Sequence, residues 1–330
     1  MKGQWNDKVL TVHTADFEEL ALEIFHFQYN NNSIYRQYTD ALGIRPAQIS
    51  SLIQIPFLPI RFFKSHEVRT GLFEPEQIFE SSGTTGTTGS RHFVRDAGWY
   101  RQCFSTAFRQ FYGDPADWCI IGLLPSYLER QNSSLVFMVD ELIRQSGHPD
   151  SGFYLDEFDR LAGVLKQLEQ KGQKTLLIGV TFALLDFAET HPIPSKHTII
   201  METGGMKGRR EELVRPQVHN IIKKAFGVAL VHSEYGMTEL LSQAYSQGEG
   251  IFRGPEWLKV LLRDEEDPLA LTASVQNVTS GAINVIDLAN IHSCCFIATD
   301  DAGRLHPDGS FEVLGRLDGS DLRGCSLLAV

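Results

Sequence analysis

Between residues 118 and 231, short apolar runs of strand length alternate with longer segments whose apolar residues recur every three or four positions. This alternation restricts the chain to few folds. Residues 118–124 read as a buried strand closed by Pro125. Ser133 or Ser134 can cap the helix that follows, whose inner side carries Leu135, Val136, Met138, Val139, Leu142 and Ile143 and which Gly147 ends. A second helix is expected over about 156–171, with Phe158, Leu161, Leu165 and Leu168 inward and Gly172 just past its end. Then come a strand over 175–179, a helix through Leu184, Leu185 and Ala188, and a strand over 198–201. A charged helix from about 208 to 226, kinked or interrupted at Pro216, leads to a strand over 228–231. Repetition of this kind is satisfied by right-handed crossovers, so the expected class is α/β, with a mostly parallel sheet covered by helices on both faces.

The pattern changes after about residue 255. Short strands over 258–262, 283–288, 294–298 and 310–314 follow one another without helices, and His306-Pro307-Asp308-Gly309 is a turn signal. A small antiparallel β unit packed on the α/β body is therefore expected over about 255–314. The first 70 or so residues, with a helical stretch at 17–29 and a proline-punctuated run at 55–59, are expected to wrap the body.

Charge and cysteine usage exclude several function classes. With 30 Lys and Arg against 41 Asp and Glu, the net charge of −11 disfavours a basic face for nucleic acid. No apolar run reaches the roughly 20 residues of a membrane span, and the first residues lack the apolar block of a secretory signal. The five cysteines, at 103, 119, 294, 295 and 325, have no paired spacing, which suits reduced thiols in the cytoplasm. Cys294 and Cys295 would point to opposite faces of a strand and read as structural thiols, not half of a metal site.

Residues 81–90 read Ser-Ser-Gly-Thr-Thr-Gly-Thr-Thr-Gly-Ser. Such a loop has little bulk, many hydroxyls and backbone N–H groups that can turn inward around an anion, with phosphate the expected guest. A flexible linker has the same composition. Ile78 and Phe79 end a strand just before it, however, and an amphipathic helix from Asp96 (Trp99, Cys103, Phe104, Ala107, Phe108, Phe111) follows. The loop lacks the Gly-Lys-Ser/Thr ending of a P-loop and the glycine spacing of a dinucleotide fold, so both are disfavoured.

Two further motifs belong with the loop. Ser233-Glu234-Tyr235-Gly236-Met237-Thr238-Glu239 is expected directly after the 228–231 strand. Thr299-Asp300-Asp301-Ala302-Gly303-Arg304, followed by Gly315-Arg316-Leu317-Asp318, looks like acidic turns between strands. In this order and at these separations the three resemble the core motifs of the adenylate-forming superfamily of acyl-CoA synthetases, peptide-synthetase adenylation domains and luciferases. The lysine-free loop, the Pro125-Ser126-Tyr127-Leu128-Glu129-Arg130 segment and the Arg323-Gly324-Cys325 ending are closer still to the acyl-protein synthetase (LuxE-type) family. The resemblance covers roughly residues 78–325.

The resemblance implies the large-domain fold of these enzymes and a set of roles. Ser82, Gly83, Thr84, Thr85 and Gly86 would cradle the β- and γ-phosphates of ATP. Tyr235, with Gly236 beside it, would stack on adenine, and Thr238 would bond the α-phosphate. Glu239 would hold Mg²⁺, a hard cation suited to carboxylate oxygen. Asp301 would bind the ribose diol, with Arg316 on the same sugar or the phosphate, and Gly204 and Gly205 would line the wall between adenine and the acyl group. The substrate implied is a carboxylic acid, a fatty acid by family, and an acyl reductase or acyl carrier protein is the implied partner.

Taken alone, Cys325 is as easily a packed or frayed residue as a reactive one. Arg323 beside it favours thiolate and Gly324 offers a hinge, and the resemblance makes Cys325 the acyl acceptor. The expected organisation is an adenylation domain over 1–314 and a mobile segment over 315–330 carrying that thiol, without the full carboxy-terminal domain and lysine of the wider superfamily. Lys207, Arg209 and Arg210 are candidate substitutes for that cation. A short acyl- or aryl-CoA ligase, or a non-catalytic nucleotide-binding subunit, would share the same motifs.

Overall fold

The computed structural model describes residues 5–81, 89–125, 132–155, 157–204, 213–264, 267, 269–273 and 275–317. Among these the α/β alternation produces a six-stranded sheet in the order Gly152–Phe153, Cys119–Leu123, Thr175–Gly179, Thr198–Glu202, His232–Tyr235, Ala244–Ser246. The first five are parallel and the last is antiparallel. Every residue of the 119–123 and 175–179 strands is buried, as apolar runs covered on both faces require. Helices Ser134–Ser146, Phe158–Lys171, Thr181–Thr190 and Arg215–Phe226 make the crossovers. Ser133 caps the first by accepting from Val136 N, and Gly147 and Gly172 end the first two in the left-handed conformation.

Two expectations on this sheet are corrected. The strand foreseen at 228–231 lies at His232–Tyr235, pairing Met201 with His232 and Glu202 with Ser233. The apolar Val-Ala-Leu-Val run looked the better strand, yet Leu230 is 44% exposed while Ser233 is fully buried. Periodicity shows a β pattern but not its register. Pro216 does not kink a helix that starts at 208. It sits in the first turn of Arg215–Phe226, where its missing N–H leaves no bond unmade.

The C-terminal strands form a larger sheet than expected, in the order Ile251–Phe252, Phe311–Arg316, Phe296–Leu305, Thr279–Asp287, Leu258–Arg263, Leu271–Thr272. Leu58–Pro59, from the proline-punctuated run, adds a parallel pairing to the start of the 296–305 strand. The acidic Thr299–Arg304 stretch is therefore strand, not turn, and Gly315 and Arg316 still belong to the strand that returns beside it. Asp301 pairs directly with Arg316 in this register, and the ladder then shifts between Ala302 and Gly303. Cys294 and Cys295 precede the strand instead of lying within it. Both are buried and free, as are Cys103 and Cys119.

The amino-terminal helices wrap the body as expected. On helix Phe17–Asn31, Gln28 is fully buried, donates to the carbonyls of Asn290 and Ile291, and accepts from Cys295 N. Tyr35 stacks on Phe296 with ring centres 6.1 Å apart. Among the described residues no helix is long and apolar enough to cross a membrane.

Candidate active site

The Ser/Gly/Thr run lies in sequence between two strands that pair with each other. Strands Gln77–Glu80 and Arg91–Val94 pair antiparallel, Ser81 N donates to Ser90 O (3.0 Å), and Ser90 N donates to Ser81 Oγ (2.8 Å). A return strand thus stands between the loop and helix Ala97–Tyr112, which Asp96 caps. Ser82, Gly83, Thr84, Thr85 and Gly86 lie outside the described residues, as do Gly205, Lys207, Arg209, Arg210 and Cys325.

The return strand anchors the second motif. His92 donates from Nδ1 to the Thr238 carbonyl (2.7 Å), and its Nε2 lies 3.0 Å from Asn290 Oδ1. The Asn290 amide donates in turn to the Glu239 carbonyl (2.7 Å). Next along the chain, Leu241 N and Ser242 Oγ donate to the buried Asp287 carboxylate. Burial raises the Asp287 pKa to about 6 against these bonds. The backbone after Tyr235 is thereby fixed from both sides. A Cβ on residue 236 would come 2.5 Å from Glu234 Oε1, so any larger residue than Gly236 would push the Glu234 carboxyl out of its place.

Tyr235 ends the His232–Tyr235 strand and donates its hydroxyl to Asp301 Oδ2 (2.8 Å), while Arg316 donates to Asp301 Oδ1 (3.1 Å). The Tyr235 ring is held edge-on by Phe252 and Phe311, with centres 6.0 and 5.8 Å away. Burial first, and then the Asp301 charge, raise the Tyr235 pKa well above its ordinary value, so the hydroxyl stays a donor. Arg316 Nε is buried without a partner among the described residues. One cleft is walled by Tyr235, Gly236, Asp301, Arg316 and Gly204. It meets a second cleft, reaching Ser81, Thr238 and Glu239, at Thr203, Glu234, Gly236 and Met237. All the described candidate residues therefore face two connected clefts at the carboxyl ends of the parallel strands.

Three site residues escaped sequence reasoning. Glu202 closes the Thr198–Glu202 strand and is 1% exposed. It accepts from Gly204 N (2.7 Å) and Thr181 Oγ1 (3.3 Å), and lies 3.4 Å from Arg215 Nε and 3.6 Å from His219 Nε2. Burial opposes its charge, but the His219 hydrogen bond and the Arg215 guanidinium prevail and hold its pKa down to about 2. Arg215 also donates to the Val313 carbonyl (2.6 Å) and covers the Phe252 ring, joining the two sheets across the cleft. Glu234 is the third. Burial, reinforced by the Glu202 charge, raises its pKa to about 8. A carboxylate at the end of a buried parallel strand was the available signal for Glu202. Nothing local marks Glu234 or Arg215.

Asp301 has its two donors set and retains acceptor capacity for a diol, since an ionised carboxylate offers about four lone-pair sites. Glu239 is fully buried on the cleft that leads to Ser81. No group of three or more metal-binding side chains occurs among the described residues, so a cation there would draw its remaining ligands from phosphate and water.

No protein-family model matches the chain. Two curated proteins are similar to it over most of its length. The long-chain-fatty-acid–luciferin-component ligase of Vibrio harveyi is 21% identical over 328 residues, covering 92% of this chain and 84% of that protein. The enzyme of the same name from Aliivibrio fischeri is 23% identical over 337 residues, covering 94% and 86%. Among solved structures, 2-hydroxyisobutyryl-CoA ligase in its postadenylation state with the acyl-AMP bound superposes with a TM-score of 0.65 at 14% identity, covering 98% of this chain and 72% of the other. The same ligase with acyl-AMP and CoA in its thioesterification state gives 0.65 at 15% identity, covering 96% and 72%. The structural likeness shows the fold, a mixed α/β architecture that resembles the large domain of adenylate-forming ligases.

Proposed function

Proceeding from the chain's similarity to two long-chain-fatty-acid–luciferin-component ligases, we propose that it is an ATP-dependent ligase of the LuxE type that activates a carboxylic acid as the acyl adenylate and then loads the acyl group onto its own Cys325. The observation that carries this reading is the convergence of Tyr235, Asp301, Arg316, Thr238 and Glu239 on two clefts that meet at Glu234 and Gly236.

In the first half-reaction a substrate carboxylate oxygen attacks the α-phosphorus of ATP. The bond from that phosphorus to the bridging oxygen breaks, and pyrophosphate leaves with the electron pair. Alignment and charge neutralisation suffice, since no protein nucleophile is consumed. Tyr235 would present its ring to adenine, and Asp301, steadied by Tyr235 and Arg316, would accept the ribose hydroxyls. Thr238 would bond the α-phosphate, with Ser82–Gly86 around the β- and γ-phosphates and Gly204 and Gly205 forming the wall toward the acyl group. Mg²⁺ held by Glu239 would supply neutralisation of the phosphate oxygens.

In the second half-reaction the Cys325 thiolate attacks the acyl carbonyl carbon, the bond to the AMP oxygen breaks, and AMP leaves. The segment after Arg316 would carry that thiol to the cleft, residues 1–314 providing the adenylation domain. By the names of its curated relatives the acid is a fatty acid, and an acyl reductase or carrier protein would take the thioester onward. An unpaired reactive thiol suits a reducing compartment such as the cytoplasm.

Two measurements test the proposal. Acid-dependent exchange of labelled pyrophosphate into ATP reports adenylation. Intact-protein mass after incubation with ATP, Mg²⁺ and a panel of acids reports a gain equal to the acid minus water. Cys325→Ser is expected to keep the exchange and lose the adduct. An adduct that survives this substitution, or AMP release that requires CoA, defeats the Cys325 assignment in favour of another acceptor.

A further inference from the structure

The second cleft, which Leu135, Met138 and Met237 line beside Thr238 and Glu239, also holds buried polar groups that an unsubstituted hydrocarbon chain would leave unpaired. Gln243 lines it, is 4% exposed, and holds an Oε1 with no hydrogen-bond partner among the described residues. Its Nε2 donates to the Tyr100 hydroxyl (3.3 Å). That hydroxyl donates on to the Ser134 carbonyl (3.4 Å), so it has nothing further to give. Glu234 lines both clefts and is 9% exposed. Behind these groups Tyr100 packs on Phe79, Phe104 and Phe137, with ring centres 4.9–5.7 Å away, which closes the inner wall.

A buried amide oxygen left without a donor is destabilising, and nature seldom leaves one without a reason. Water can relieve that cost in the free protein, but a hydrocarbon entering the cleft displaces water and restores it. A ligand that brings its own donor does not. Gln243 Oε1 can only accept, and the Glu234 carboxyl keeps an accepting oxygen in either protonation state, so a ligand that brings a donor satisfies both.

We propose that this cleft selects an acid bearing a hydroxyl or ammonium donor close to its carboxyl group, with Gln243 Oε1 and Glu234 as the receiving atoms. The inference rests on the adenylation reading above and adds the acyl group's chemistry to it. It is indifferent to chain length, since a substituted fatty acid meets it as well as a short acid does. The neutral form of Glu234, favoured by its raised pKa, still offers its carbonyl oxygen to a hydroxyl. An ammonium would instead draw it into the ionised form.

The test compares acids of matched chain length in pyrophosphate exchange: unsubstituted, 2-hydroxy, 3-hydroxy and 2-amino. The wild-type kcat/KM is expected to favour one substituted series over the unsubstituted acid by about tenfold or more, the equivalent of one unpaired buried acceptor. Preference for the hydroxy acids assigns a hydroxyl, and preference for the amino acids an ammonium. In Gln243→Met, a near-isosteric change, this ratio is expected to collapse toward one, and Gln243→Leu provides a second variant should the first fold poorly. A general loss of stability would lower both rates and leave the ratio alone. Equal or better use of the unsubstituted acid by wild type, or a ratio that survives loss of Gln243, overturns the inference while leaving adenylation intact. Absence of exchange with every acid defeats the adenylation reading itself, and this inference with it.

Discussion

Glu202 and Glu234 come from neighbouring parallel strands, and burial opposes the ionisation of both, yet their pKa values move in opposite directions because the charges around them differ. Glu202 has His219 and Arg215 against it, whereas Glu234 has Glu202. The sign of each contribution follows from linkage. Glu202 is more acidic folded than unfolded, so its stabilisation is complete above the ordinary carboxylate range and fades as pH falls toward 2. Glu234 is less acidic folded, so stability declines as pH rises from about 4.5 to about 8 and the unfolded state alone ionises. Glu234→Gln is therefore expected to raise Tm at pH 8, by roughly 2–4 °C for each kcal/mol gained, and to change it little at pH 5. A pH series of thermal melts checks this, and equal shifts at both pH values would contradict it. Asp301 is the second residue whose role is separable. Asp301→Asn keeps shape but removes the charge that Tyr235 and Arg316 address. KM for ATP is expected to rise about tenfold to a hundredfold, with KM for the acid little changed.

At the scale of elements, the register of the 296–305 and 311–316 strands decides whether Asp301 and Arg316 meet. The ladder shifts beside Gly303, where a Cβ would stand 2.5 Å from the Glu312 carbonyl oxygen and 2.6 Å from Ile283. Gly303→Ala is expected to lower stability by about 1–3 kcal/mol and to weaken ATP binding although residue 303 lines neither cleft. Denaturant titration and nucleotide binding measure the two effects. Sequence pattern foresaw the strands at 119–123, 175–179 and 198–202 because they are apolar throughout and helices punctuate them. It misplaced the strand at 232–235 because His-Ser-Glu-Tyr carries no apolar signal and the apolar run before it does. It took Thr299–Arg304 for a turn for the same reason: Asp300 and Asp301 are polar, and only the partner strand shows why Asp301 can be buried. The motif residues Tyr235, Glu239, Asp301 and Arg316 were legible because they recur in a recognisable order. Glu234, Gln243 and Arg215 were not, since their importance comes from what the fold sets beside them. Nor did the pattern show that a return strand follows the Ser/Gly/Thr run and that His92 on it reaches the Thr238 carbonyl.

For the molecule as a whole, the cleft is a seam between two sheets, and Arg215 is a cation that spans it. The residue starts the helix leading into the His232–Tyr235 strand of the parallel sheet, yet its guanidinium reaches the Val313 carbonyl and the Phe252 ring on the antiparallel sheet while contacting Glu202 behind it. Arg215→Met retains much of the apolar contact and removes the charge. Glu202, 1% exposed, would then lose the guanidinium beside it and keep the Gly204 N and Thr181 Oγ1 hydrogen bonds and the His219 contact. Breaking a buried ion pair from one side typically costs about 3–5 kcal/mol, and Arg215 is itself partly exposed, which places this case toward the lower figure. The loss should be greatest near neutral pH. It should narrow as acid protonates Glu202 in both proteins, because a neutral carboxyl no longer needs the cation. Because the same side chain lines the cleft proposed for the nucleotide, KM for ATP should rise in parallel with the loss of stability. His92→Ala, which frees the Thr238 carbonyl on the other side of the clefts, should raise KM for ATP without that pH signature. Paired melts from about pH 2 to pH 8 with ATP titrations separate the two variants, and a stability loss in Arg215→Met that stayed constant through the range in which Glu202 protonates would show that Arg215 acts by packing alone.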